Sequence, residues 1–167
     1  GAHPSYADRE GFGRRALDVP PDQVRDDVTY QVGALWAFCR SEGIRLTHVK
    51  PHGALYNAAA LEPALARAIC EAVRAIDPLL VLVCLARSPM AELARKLGLA
   101  CAEEAFADWA YTSAGTLVPR SSPGAVIRDP ALASFGHLPM VVGDGANGHA
   151  AALIDMLALT PDLSRGA

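Results

Sequence analysis

The sequence has little of what marks a secreted, membrane-spanning or nucleic-acid-binding chain. Its four cysteines, Cys39, Cys70, Cys84 and Cys101, are far apart and form no CxxC pair. That spacing argues against a zinc ribbon and a disulfide framework, and suits buried apolar thiols in a reducing compartment. Charged residues are only 20% of the 167, and the formal net charge is -3. No basic face follows from this balance, so nucleic acid is not an expected partner. No apolar run reaches the roughly 18 residues a membrane span needs. The opening Gly1-Ala2-His3-Pro4 lacks the basic-then-apolar order of a secretory leader, which leaves a cytoplasmic protein as the expectation.

What the chain does have is apolar weight. Hydrophobic residues are 51% of the total, enough for one domain with a true core. The clearest element is a helix over Pro21 to Glu42. Proline suits its first turn, Val24, Val28, Val32, Leu35, Trp36 and Cys39 recur at helical spacing, and Gly43 stops it. The alternation Ile44 to Lys50 predicts a strand. Helix and strand then alternate: helix Glu62 to Ile76, strand Leu79 to Leu85, helix Pro89 to Leu97, strand Leu99 to Ala102, and after a long loop strand Pro139 to Val142 and helix Asn147 to Leu159. Such alternation predicts parallel βα units, hence an α/β class, and the short connections predict a single domain over residues 1–167. The chain opens where a βα unit would end a strand; Gly1-Ala2-His3 read as an expression scar is the plain alternative.

Polar residues gather at the predicted strand ends, where parallel α/β folds place their sites. His3 and Asp8 fall in the first such loop, ahead of Gly11-Phe12-Gly13-Arg14-Arg15. His48 and Lys50, two apart, share one face of a strand; His52 follows Pro51 into the loop. A histidine and a lysine near a carboxylate can tune a general base towards neutrality, while two histidines and an aspartate can equally ligate a divalent metal. Histidines that only hydrogen-bond loop backbone remain the third reading. Phe106 to Ser121 forms a long polar stretch in which Arg120 suits a carboxylate, or is simply a solvated arginine. Gly143-Asp144-Gly145-Ala146-Asn147-Gly148 fits GxGxxG but lies in the last unit, so an anion-binding turn is expected there and a dinucleotide site is not. No P-loop pattern occurs.

Taken in order, these clusters resemble the LamB/YcsF family, the group of 5-oxoprolinase A subunits. The resemblance rests on Gly1-Ala2-His3-Pro4-Ser5-Tyr6 with Asp8, Gly11 to Arg15, His48 to Asn57, Phe106-Ala107-Asp108, Tyr111-Thr112 and Gly115 to Ser121, and covers about residues 1–128. It implies a TIM-like (β/α) barrel related to deacetylases and glycoside hydrolases, here incomplete and lacking its N-terminal part. It also implies ATP-dependent opening of the 5-oxoproline lactam to L-glutamate, together with B and C partner subunits. By the same resemblance His3, Asp8, Lys50 and His52 are expected at the catalytic centre. Asp108, Tyr111 and Arg120 would line the substrate pocket, with His3 and His52 as ligands should a divalent metal bind.

The sequence departs from the family's pattern in three ways. The first acidic and histidine motifs are missing, Val142 replaces a histidine before Gly143-Asp144, and Trp109 stands where an arginine is usual. Two further readings therefore stand beside the leading one: a metal-dependent amidohydrolase or deacetylase, and a non-catalytic remnant. An incomplete barrel exposes a sheet edge and apolar helix faces, so a homo-oligomer or poor solubility is expected.

Overall fold

The computed structural model describes residues 1–106, 108–112 and 115–128. The strand Pro139 to Val142, the helix Asn147 to Leu159 and the turn Gly143 to Gly148 expected from the sequence lie outside those residues. The chain divides into two compact units, Gly1–Glu103 and Glu104–Ala167.

The described helices and strands are α1 (Pro21–Ser41), β1 (His48–Val49), α2 (Gly53–Ala59), α3 (Pro63–Ile76), β2 (Val81–Leu85), α4 (Pro89–Lys96) and β3 (Cys101–Glu104). The strands form one three-stranded sheet in the order β1-β2-β3. β1 and β2 run parallel, with His48 opposite Val81 and Val49 opposite Leu82. The α/β class with a parallel sheet is thus as the sequence predicts. Ala2 adds a parallel bridge to Val49. Its N–H donates to His48 O, and its carbonyl accepts from Lys50 N–H, both at 2.9 Å. Ala2 is therefore paired to β1, which speaks against the scar reading.

Each helix begins as its sequence suggests. Proline occupies the first turn of α1, α3 and α4, where its missing N–H costs nothing. The apolar stripe of α3 (Leu65, Ile69, Val73) packs against that of α1 (Val24, Val28, Val32), all buried. Full burial of each such side chain contributes about 1.5–3 kcal/mol. Leu35 and Trp36 do not continue the stripe but stand exposed with Phe38 and Tyr30. Cys39, in the last turn, still packs partly buried against the core.

α1 and α4 end the same way. Gly43 (φ +66°) and Gly98 (φ +76°) take the left-handed position. Ile44 N–H donates back to Cys39 O at 2.8 Å, and Leu99 N–H donates back to Ala94 O at 2.9 Å. These Schellman closures claim the residue after the glycine for the helix. That is why the strand expected from Ile44 shortens to His48–Val49, and the one expected from Leu99 begins at Cys101. At Leu79 the Asp77 carboxylate accepts the N–H at 2.8 Å, so β2 likewise starts late, at Val81. The short helix α2, absent from the sequence reading, buries Leu55, Tyr56 and Ala59.

Ser88, buried, caps α4 by accepting from Ala91 N–H at 3.3 Å. Ser88→Ala is expected to cost about 1 kcal/mol in a denaturant titration with unchanged slope. An unmoved midpoint would show that the cap contributes nothing.

Of the four cysteines, Cys70 and Cys84 are buried, as expected, while Cys39 and Cys101 are only half-buried; all are free. Cys84 and Cys101, on neighbouring strands, bring their Sγ atoms within 2.9 Å. No helix among the described residues is long and apolar enough to cross a membrane.

The second unit shows no helix among its described residues. Antiparallel bridges join Trp109 to Val126 and Tyr111 to Leu117, with Ala105 and Ala125 buried.

Candidate functional site

The site candidates of the first unit come from two segments, residues 1–15 and 48–54. Backbone pairing sets one beside the other: after the Ala2 bridge, His52 N–H donates to Pro4 O at 2.8 Å, and Ala54 N–H donates to Gly13 O at 2.9 Å. Gln31 of α1 brackets Ser5 from behind. Its amide donates to Ser5 O at 2.8 Å and accepts from Ser5 N–H at 3.0 Å. Between the segments lies a hollow of about 720 Å³ lined by His3, Tyr6, Asp8, Phe12 and His52 among others.

His3 and His52 face each other with ring centroids 6.1 Å apart and planes tilted by 45°. Partial desolvation, then the positive charge of Lys50, holds the His3 pKa below its ordinary 6.5, so the ring is neutral near pH 7. His48 is lowered as well, again first by desolvation. Its Nδ1 contacts Thr47 Oγ1 at 2.9 Å. The Lys50 ammonium lies 5.9 Å from the Tyr56 ring centroid. Neutral imidazole beside ammonium is a combination that can accept a proton while stabilising a developing negative charge.

Asp8 does something the sequence did not suggest. Its side chain is only 1% exposed and is clamped by the Arg15 guanidinium, with Gly11 N–H donating to Oδ1 at 3.0 Å. Hydrogen bonds from Arg15 first, then from Gly11 and with the Arg15 charge, outweigh burial and bring the carboxyl pKa down to about 2. A carboxylate so weakly basic is a poor proton acceptor at neutral pH, and its lone pairs are spent on the loop. Because the folded pKa lies below the ordinary 3.8, the stabilisation is full above pH 3.8 and is lost as pH falls towards 2. In thermal melts, Asp8→Asn is therefore expected to lie below the parent near pH 6, with the gap closing between pH 4 and 2. A gap that stays constant across that range would show that Asp8 does not anchor the loop through its charge.

That loop turns on Phe12, a non-glycine residue at φ +55°, and Gly13 at φ +68°. The Phe12 ring is 69% exposed and stands edge-on to His52, centroids 5.1 Å apart at 78°. Its carbonyl accepts from His52 Nε2 at 3.0 Å. Phe12 and Arg15 stand within a motif visible in the sequence, yet nothing in residue type announces their contacts. Left-handed backbone at a non-glycine and a salt bridge seven residues apart are features of geometry alone.

The expected substrate residues lie in the second unit. The Arg120 guanidinium, exposed, stacks 4.5 Å over the Trp109 ring, whose indole N–H donates to Val118 O at 2.7 Å. Tyr111 Oη accepts from Phe106 N–H at 2.6 Å, and desolvation raises the Tyr111 pKa. Asp108 has a buried Oδ1, while its carbonyl accepts from Ile127 N–H at 2.8 Å. Among the described residues no group of three or more His, Cys, Asp or Glu side chains is arranged to hold a metal ion. With Asp8 tied to Arg15, no third described side chain joins His3 and His52 as a metal ligand.

Comparison with known proteins agrees with the motifs. The A subunit of 5-oxoprolinase from Pyrococcus abyssi is 54% identical over 129 residues, covering 77% of this chain and 51% of its own length. Its counterpart from Alkaliphilus metalliredigens is 56% identical over 133 residues, covering 80% and 52%. The crystal structure of a lactam utilization protein from Thermus thermophilus superposes with a TM-score of 0.71 at 52% identity, covering 78% of this chain and 53% of that one. The chain thus spans about half the length of the curated relatives it matches. The LamB/YcsF family pattern matches residues 1–156, nearly the whole sequence, and the chain belongs to the LamB/YcsF family.

Proposed function

We propose that this chain supplies the His3–Lys50–His52 side of a site that opens the lactam of 5-oxo-L-proline to L-glutamate. The observation that carries this reading is the pair of His3 and His52 lining a hollow of about 720 Å³, with the charge of Lys50 acting on His3. The names of the relatives, 5-oxoprolinase and lactam utilization protein, support the same reaction class.

A five-membered lactam is a stable amide, and its opening needs an activated water and a stabilised oxyanion. A neutral imidazole is the group to take the proton from water, and the Lys50 ammonium is the group to meet the developing charge. Asp8 and Arg15 hold the loop that presents His52. Asp108, Tyr111 and Arg120 are proposed as substrate contacts, the planar Arg120 guanidinium suiting the carboxylate of 5-oxoproline. ATP is the proposed co-substrate, and the B and C subunits of 5-oxoprolinase are the proposed partners, the relatives being named as one component of an assembly. Cytoplasmic placement follows from that ATP requirement. None of the roles given to residues of this chain runs through a metal.

The test is direct. The chain is combined with the B and C subunits of a relative, and glutamate release from 5-oxoproline is followed with and without ATP. ATP-dependent glutamate that needs this chain supports the reading. Assembly without glutamate overturns it in favour of a non-catalytic role.

A further inference from the structure

We propose that the Phe12 carbonyl fixes His52 as its Nε2–H tautomer, so that Nδ1 is the nitrogen with which His52 exchanges protons. This rests on the reading of His52 as a proton-handling group of the site, but its central claim can be tested without any activity.

A carbonyl oxygen has only lone pairs, so the ring nitrogen 3.0 Å from Phe12 O must carry the hydrogen. In a neutral imidazole the other nitrogen, Nδ1, then holds the free lone pair. Protonation adds a hydrogen at Nδ1 and leaves the Nε2–H bond as it was. His52 can thus take up and release a proton without turning its ring.

The loop around Phe12 is fixed from several sides, so its carbonyl does not merely follow the histidine. Asp8 accepts from Gly11 N–H and is clamped by Arg15; Gly13 N–H donates to Asp8 O at 2.9 Å. Gly13 O in turn accepts from Ala54 N–H, two residues beyond His52. Phe12 holds a left-handed φ of +55° while its carbonyl meets the ring. A residue with a Cβ adopts that conformation only where its surroundings hold it there, and such residues cluster at functional sites. The Phe12 ring, largely exposed, gains its aromatic contact from the edge of the same histidine. Phe12 is thus a positioning residue acting through His52.

Nitrogen-15 NMR of the full chain, with His52 assigned through the His52→Gln spectrum, reads the tautomer directly. In the neutral ring, a protonated-type Nε2 with an unprotonated-type Nδ1 is expected. A dominant Nδ1–H tautomer, or the mixture of a free imidazole, overturns the proposal. A pair of variants gives a second readout. His52→Gln places an amide N–H near the Nε2 position and can keep the bond to Phe12; His52→Asn reaches only as far as Nδ1. The Gln variant is expected to melt close to the parent and the Asn variant roughly 2–4 °C lower. Equal melting of the two overturns the role of the bond. In the complete assembly both variants are expected to lose lactam opening, because neither has a proton-accepting Nδ1. If the tautomer is as expected but both variants stay active, the functional reading of His52 fails while the positioning inference stands.

Discussion

Gly53→Ala is expected to cost about 3 kcal/mol of stability, although it removes no polar group. Gly53 sits at φ +64°, where a residue with a Cβ pays roughly 1–2 kcal/mol. More decisive is the space: an added Cβ would lie 2.3 Å from Gly13 O and 2.9 Å from Gly13 C, both backbone atoms. The Gly13 loop would have to withdraw, breaking the Ala54 N–H bond and shifting the carbonyl that holds His52. Gly43→Ala is the control. It has nearly the same φ, +66°, but nothing within 4 Å, so only the conformational part of the cost should appear. Equilibrium unfolding in urea measures both. If the two variants lose the same stability, the contact between Gly13 and Gly53 is not what requires glycine.

His52→Ala in the assembled enzyme is expected to lower kcat/KM by roughly 10²–10⁴-fold, the usual contribution of a positioned acid–base group. That corresponds to about 2.7–5.4 kcal/mol of transition-state stabilisation. Lys50→Met should lose roughly 10²–10³-fold, as removal of an oxyanion partner does. The lowered pKa of His3 sets the pH dependence. A base that is neutral down to below pH 6.5 keeps activity on the acid side until that lowered value is passed, and activity then falls as pH drops further. Steady-state kinetics from pH 5 to 8 separates these roles. His52→Ala with parental kcat/KM would remove His52 from the chemistry altogether.

Periodicity carried most of the helices. The valines of α1 and the leucine, isoleucine and valine of α3 sit where their spacing put them, and proline and glycine marked the ends. What periodicity could not show is which residue after a terminal glycine belongs to the helix. Ile44 and Leu99 are apolar and look like strand starts, yet both are taken by Schellman bonds. Helix α2 escaped because seven residues make too few turns for a pattern, and its start depends on Gly53 rather than on a polar cap. For the site, the sequence singled out His3, Lys50 and His52, and the structure brings the two histidines together. It also singled out Asp8 but not Arg15 as its partner, since the choice between a catalytic and an anchoring carboxylate depends on three-dimensional contact. The second unit's Asp108, Tyr111 and Arg120 were legible as a polar group, and the stacking of Arg120 on Trp109 was not.

The bond from His52 to Phe12 spans 40 residues of sequence, and the whole of α1 lies inside that span. Contacts of such long range carry a loop-closure cost that local helices do not. The two facing histidines belong to segments that the Ala2–Val49 bridge joins. Amide exchange at Lys50 and His52, whose N–H groups bond to Ala2 O and Pro4 O, therefore reports when and how often the site comes apart. Loss of protection at both amides together is the expected signature of a hollow that opens with the sheet edge, and separate exchange would show that it does not.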